Sequence, residues 1–310
     1  MDKGFANKYF IRMETRTQMR VFIFLCALSI LMWWSPLLAT FSLALTSDAY
    51  THILLILPLS IALIYSDPEY WESRKRPFAH QPNVAIGLSL LALSLVIICD
   101  ARWIAQSASD RLSLGLLGLV IWWLGSVILC FGLETFKSFL FPLCFLFLSV
   151  PLPASALNWI VEFLQQESAT VARVMFQLAR VPVTQNGIML SIPGLDIEVS
   201  PECSSIRSSL MLVVTTAVLA HLFLRSRWWK LLLIAVSVPL AIAKNGLRIF
   251  AIAELATRVD SGFLTGRFHR NGGIIFFGIA LAAVGLILIA LRWSETQGTV
   301  KRSAQPQSLS

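Results

Sequence analysis

From Gly272 to Leu291 the chain reads GGIIFFGIALAAVGLILIAL, with no ionisable side chain. About 20 apolar residues of helix cross a hydrocarbon core, and in that medium a helix satisfies its own backbone groups. Similar apolar blocks occupy residues 21–42, 50–66, 84–99, 113–132, 138–151, 205–224 and 228–247. These eight blocks predict an all-α polytopic membrane protein with about eight transmembrane helices. Charged residues are only 14% of the chain, against about 25% in soluble domains, and mean hydropathy is +0.73.

The net charge of +8 does not describe a nucleic-acid binder, because the basic residues stand in short clusters beside apolar blocks. They set topology instead, since cytoplasmic loops collect Lys and Arg. With both termini cytoplasmic, fifteen of the 25 Lys and Arg residues fall inside: Lys3 to Arg20, Arg74 to Arg76, Lys137, Arg225 to Lys230 and Arg292 to Arg302. The first block is too long for a cleaved signal and lacks a clear small-residue cleavage site, so it reads as an uncleaved anchor. The expected layout is a cytoplasmic segment over 1–20, a single transmembrane domain over 21–292 and a disordered cytoplasmic tail over 293–310.

One long extracytoplasmic insert is expected, about 152–203. In its first half Leu157, Ile160, Val161, Leu164, Val171, Val174, Met175 and Leu178 recur near the helical period, with Glu162, Gln165, Gln166 and Glu167 between them. That pattern predicts an amphipathic helix lying on the outer membrane surface. Two short extended runs around Pro193-Gly194 then predict a β-hairpin before the sixth helix.

Six cations depart from the charge rule by gathering in the outward-facing part of the C-terminal third: Arg207, Lys244, Arg248, Arg258, Arg267 and Arg270. Ionisable groups held there against the trend suggest a site. The topology puts Cys203, Arg248 and His269 at the outer ends of three helices. Of the five cysteines, Cys26, Cys99, Cys130 and Cys144 lie inside apolar blocks as small hydrophobes, and only Cys203 stands at a boundary. A thiolate is favoured at a helix N-terminus or beside a cation. An imidazole takes and returns its proton, and an arginine stabilises an oxyanion. Together these groups predict acyl transfer through a thioester.

Each residue also has a plainer reading: Cys203 as a structural thiol, His269 as a solvated loop residue, and Arg248 as a cation snorkelling to the interface. Arg207, one turn into the helix, either favours the thiolate or binds lipid phosphate. Glu202 reads as a helix cap and Glu254 as a partner of Arg258. His52, His80 and His221 have no assigned role, and with no HExxH motif no metal or cofactor is expected.

The order Cys203-Ser204-Ser205-Ile206-Arg207-Ser208, Asn245-Gly246-Leu247-Arg248 and His269-Arg270-Asn271-Gly272-Gly273 resembles the exosortase/archaeosortase family. The resemblance covers about 50–292 and is clearest over 185–275. It implies a membrane-embedded cysteine protease or transpeptidase of the cell (inner) membrane with an extracytoplasmic active site. Cys203 would be the nucleophile, Arg248 the substrate- or oxyanion-binding arginine and His269 the general acid/base, with Ser204, Arg207, Asn245 and Arg270 in support. The implied partners are secreted proteins with a C-terminal signal made of a short motif such as Pro-Glu-Pro, a transmembrane helix and a basic cluster. Membrane lipid surrounds the site, and water, a lipid or a glycan resolves the thioester. Ser205 stands where many members have glycine, and Arg270 where many have an acidic residue.

Two other classes fit parts of the pattern. A transporter would bind an anionic solute through Lys244, Asn245, Arg248 and Glu254. A scaffold of an envelope export complex would need no chemistry at all. Both are indifferent to Cys203→Ala, whereas the enzyme is not.

Overall fold

A computed structural model describes residues 3–66, 83–105, 107–199, 206–260, 262 and 273–303. The chain forms two compact units, Met1–Ala156 and Leu157–Ser310. It is an all-α polytopic membrane protein apart from one small sheet. Among the described residues, six helical segments are long and apolar enough to cross a bilayer, and two bent helix pairs raise the count to as many as eight.

The first unit begins with α1 (Lys3–Met32) and α2 (Trp34–Thr46). The sequence predicts one continuous span here, yet the two helices meet at 73°. Pro36 is the physical reason: it has no N–H to donate to the Met32 carbonyl, and its ring crowds that oxygen. The bend is locked by Trp33, which is fully buried, donates from Nε1 to the Gly115 carbonyl at 2.8 Å and packs against Trp122. After α3 (Ile53–Ser66), α4 (Val84–Ile104) and α5 (Ala108–Ser138) pack as a close pair. A Cβ on Gly87 would stand 2.6 Å from Leu129 Cβ, and one on Gly125 2.9 Å from Leu90 Cβ, so the two backbones meet where side chains are absent.

The block at 138–151 is not a straight span. It contains α6 (Leu140–Phe145) and a 3₁₀ turn at Leu146–Ser149, too short together to cross about 30 Å of hydrocarbon.

The next helix, α7 (Ala154–Leu178), leads into the second unit. It ends in a Schellman motif: Val181 N–H reaches the Phe176 carbonyl, Arg180 N–H reaches Gln177, and Arg180 takes φ 58°. The chain then folds as a three-stranded meander, β1 (Thr184–Asn186), β2 (Met189–Ile192) and β3 (Leu195–Glu198). The expected hairpin is β2–β3, turning at Pro193-Gly194 with Gly194 at φ 83°, the signs of a type II turn. The additional strand β1 pairs through a two-residue turn led by Gly187 at φ 62°.

The described helices that follow are α8 (Ile206–Phe223), α9 (Arg227–Arg258) and α10 (Gly273–Ser303). The helix α10 continues through part of the segment expected to be a disordered tail. Its Glu295 carboxylate accepts from Arg225 N at 3.1 Å and Ser226 N at 2.8 Å, capping the start of α9 from a different helix. At 32 residues α9 is about 48 Å long, well beyond a bilayer core.

Two cores share α9. Leu233 and Ala241 join Leu212 and Ala220 of α8 and Ala280, Val284 and Leu288 of α10. Farther along, Ile249 and Ala253 join Ala169, Ala172 and Phe176 of α7 and Leu190, Ile192 and Val199 of the sheet region. Between them lies the stretch Lys244 to Arg248.

Candidate active site

The stretch between the two cores is polar yet buried. Lys244 is 5% exposed, Asn245 1% and Arg248 9%. Lys244 lies about 26 Å along the axis from Arg227, close to one hydrocarbon thickness. Lys244 and Arg248 are one turn apart on the same helix face, so two cations act in one direction.

Two hydrogen bonds tie this turn to its surroundings, and a third extends from its partner helix. Lys244 Nζ donates to Ser208 Oγ in the first turn of α8. Asn245 Nδ2 donates to Ser168 Oγ of α7 at 3.0 Å, and Ser168 is fully buried. One helical turn back on α7, buried Gln165 donates from Nε2 to the Val199 carbonyl at 2.6 Å. Buried polar groups are costly unless bonded, and in a low dielectric each bond made is strong. Asn245 Oδ1 is buried with no hydrogen-bond partner among the described residues, which leaves a position open to a donor.

Gly246 explains how α7 and α9 come close enough for these bonds. A Cβ there would lie 2.5 Å from Val171 Cγ1 and 3.1 Å from Ala172 N. Below the cluster, Arg258 Nε and Glu254 Oε2 form the expected i,i+4 pair at 2.7 Å.

Of the residues singled out by sequence, Asn245 and Arg248 lie in this buried cluster, and Arg207 is exposed in the first turn of α8. Cys203, Ser204, His269 and Arg270 lie outside the described residues. The Ser208–Lys244 contact links the cysteine motif's last serine to the arginine motif's helix.

Sequence reasoning gives two groups a different place. It reads Lys244 as a cation against the charge rule and as an anion ligand in the transporter alternative, and Gln165 as part of a solvated face. The buried face of α7 is in fact Leu164, Gln165, Ser168, Ala169, Ala172 and Phe176, packed on protein, while Trp159, Phe163, Val174 and Leu178 are exposed. The available signal was the run of small residues Ser168, Ala169 and Ala172 at helical spacing, which marks close helix packing rather than a lipid contact.

A family model described as transmembrane exosortase matches residues 33–286, a stretch that contains all three sequence motifs. No curated protein and no solved structure shows a significant match to the chain.

Proposed function

The chain belongs to the transmembrane exosortase family, and from that premise we propose that it is a cysteine protease and transpeptidase acting at the extracytoplasmic membrane face. In this reading both termini are cytoplasmic. The substrates are secreted proteins with a C-terminal signal of short motif, transmembrane helix and basic cluster. A signal anchored by its own helix presents its cleavage point at the membrane surface, which explains an enzyme embedded there.

The chemistry assigns one task to each group. Cys203 Sγ, as thiolate, attacks the scissile carbonyl carbon, and negative charge moves onto the carbonyl oxygen. Arg248 stabilises that oxyanion with a guanidinium that stays charged throughout. As the C–N bond breaks, His269 gives the leaving amine the proton it took from the thiol, and a thioester remains. Water then yields a carboxylate, or an amine or hydroxyl of a lipid or glycan acceptor yields a new amide or ester.

The observation that carries this reading is the Lys244–Ser208 hydrogen bond. It ties the first turn of α8, five residues after Cys203, to the α9 turn that carries Arg248. The burial of Arg248 adds support, because a charge stabilises an oxyanion far better where water is excluded.

The test uses a variant whose only cysteine is Cys203, made by replacing Cys26, Cys99, Cys130 and Cys144 with alanine. Intact cells expressing it with a substrate are treated with a membrane-impermeant maleimide. The expected result is labelling of Cys203 from outside and loss of processing in step with labelling. Labelling only after permeabilisation, or full labelling with processing intact, would sink the proposal.

A further inference from the structure

The hydrogen bonds of the second unit converge on the chain either side of Cys203. Upstream, Val199 is fully buried and held through both backbone polar groups: its N–H donates to the Ile188 carbonyl at 3.1 Å, and its carbonyl accepts from Gln165 at 2.6 Å. Downstream, Ser208 accepts from Lys244. Cys203 is four residues past the first anchor and five before the second.

The two anchors are themselves connected. Gln165 and Ser168 share a face of α7 one turn apart, Ser168 accepts from Asn245, and Asn245 adjoins Lys244 on α9. Thus the path Val199–Gln165–Ser168–Asn245–Lys244 runs through buried residues to the part-buried Ser208, from one side of the cysteine to the other, and Arg248 lies one turn beyond Lys244.

We propose that Gln165 and Lys244 are positioning residues that hold the two flanks of the nucleophile in register with Arg248. The proposal rests on the function given above. A glutamine and a lysine fit this role for different reasons. The Gln165 amide donates to a carbonyl without bringing another charge near two cations. Lys244 is a point donor whose long stem reaches across to α8. Neither is proposed to touch substrate.

A misplaced nucleophile slows the chemical step while leaving substrate binding alone. The test therefore compares purified Gln165→Met, Gln165→Glu, Lys244→Met and Lys244→Arg with wild type and Cys203→Ala. It measures kcat and KM for processing, the rate of Cys203 alkylation by maleimide, and the thermal midpoint in detergent. Gln165→Glu keeps the side-chain size but loses the donor, which covers the case in which the methionine variant fails to fold.

For folded Gln165→Glu and Lys244→Met, kcat is expected to fall by about 10- to 100-fold with KM nearly unchanged. Their Cys203 alkylation rate should differ from wild type, and Lys244→Arg should recover part of kcat. Wild-type kcat and alkylation in both folded variants would overturn the positioning role, as would loss of kcat that only follows loss of fold. Processing that persists in Cys203→Ala would overturn the protease reading itself, a distinct result from Cys203-dependent processing that ignores Gln165 and Lys244.

Discussion

Cys203→Ala should reduce substrate processing to background, a loss of about 10⁴-fold or more, on the scale seen when a covalent nucleophile is removed. Nothing else in the proposed mechanism forms the bond to the scissile carbonyl, so the remaining groups have no intermediate to stabilise. Cys203→Ser should be nearly as inactive, because a hydroxyl ionises far less readily than a thiol. The check is quantitative: processed and unprocessed substrate on a gel, with membrane levels of each variant matched. A transporter or a scaffold would leave both variants at wild-type function, so a near-normal Cys203→Ala would remove the enzyme reading.

Arg248→Ala should cost about 10²- to 10³-fold in kcat, the range for deleting one preorganised oxyanion donor. Arg248 is 9% exposed and lies between the two cores of the second unit, so the alanine variant also leaves a void and needs its folding checked by thermal melting. Arg248→Lys separates charge from geometry. It keeps a cation in a similar volume but loses the planar fork of donors, so it should fold well and remain at least about tenfold slow. Wild-type kcat in folded Arg248→Ala would show that the guanidinium plays no part in the transition state.

The membrane class, the number of apolar blocks and the order of the three motifs were legible from residue patterns, because bilayer thickness imposes a length on each helix. What escaped depended on single residues whose effects are local or long-range. Pro36 breaks the first span, and its 73° bend is completed by a Trp33 bond to Gly115, a partner 82 residues away. The strand β1 is only three residues long and too short to show alternation. Gln165 looked solvated because helical periodicity ranks it by polarity, whereas its burial follows from a carbonyl at Val199 that no local pattern reveals. The cluster on α9 was visible as a breach of the charge rule, but Lys244 gains its meaning only from Ser208 on a neighbouring helix.

The central claim is a thioester on Cys203, and capturing that intermediate tests it most directly. Substrate and wild-type protein, quenched in acid during turnover and digested, should yield a peptide containing Cys203 that carries a substrate fragment by mass. Hydroxylamine should release the fragment, and the adduct should be missing from Cys203→Ala. Active turnover with no adduct on Cys203 under any quench time, or an adduct on another residue that accumulates and decays with turnover, would contradict the account.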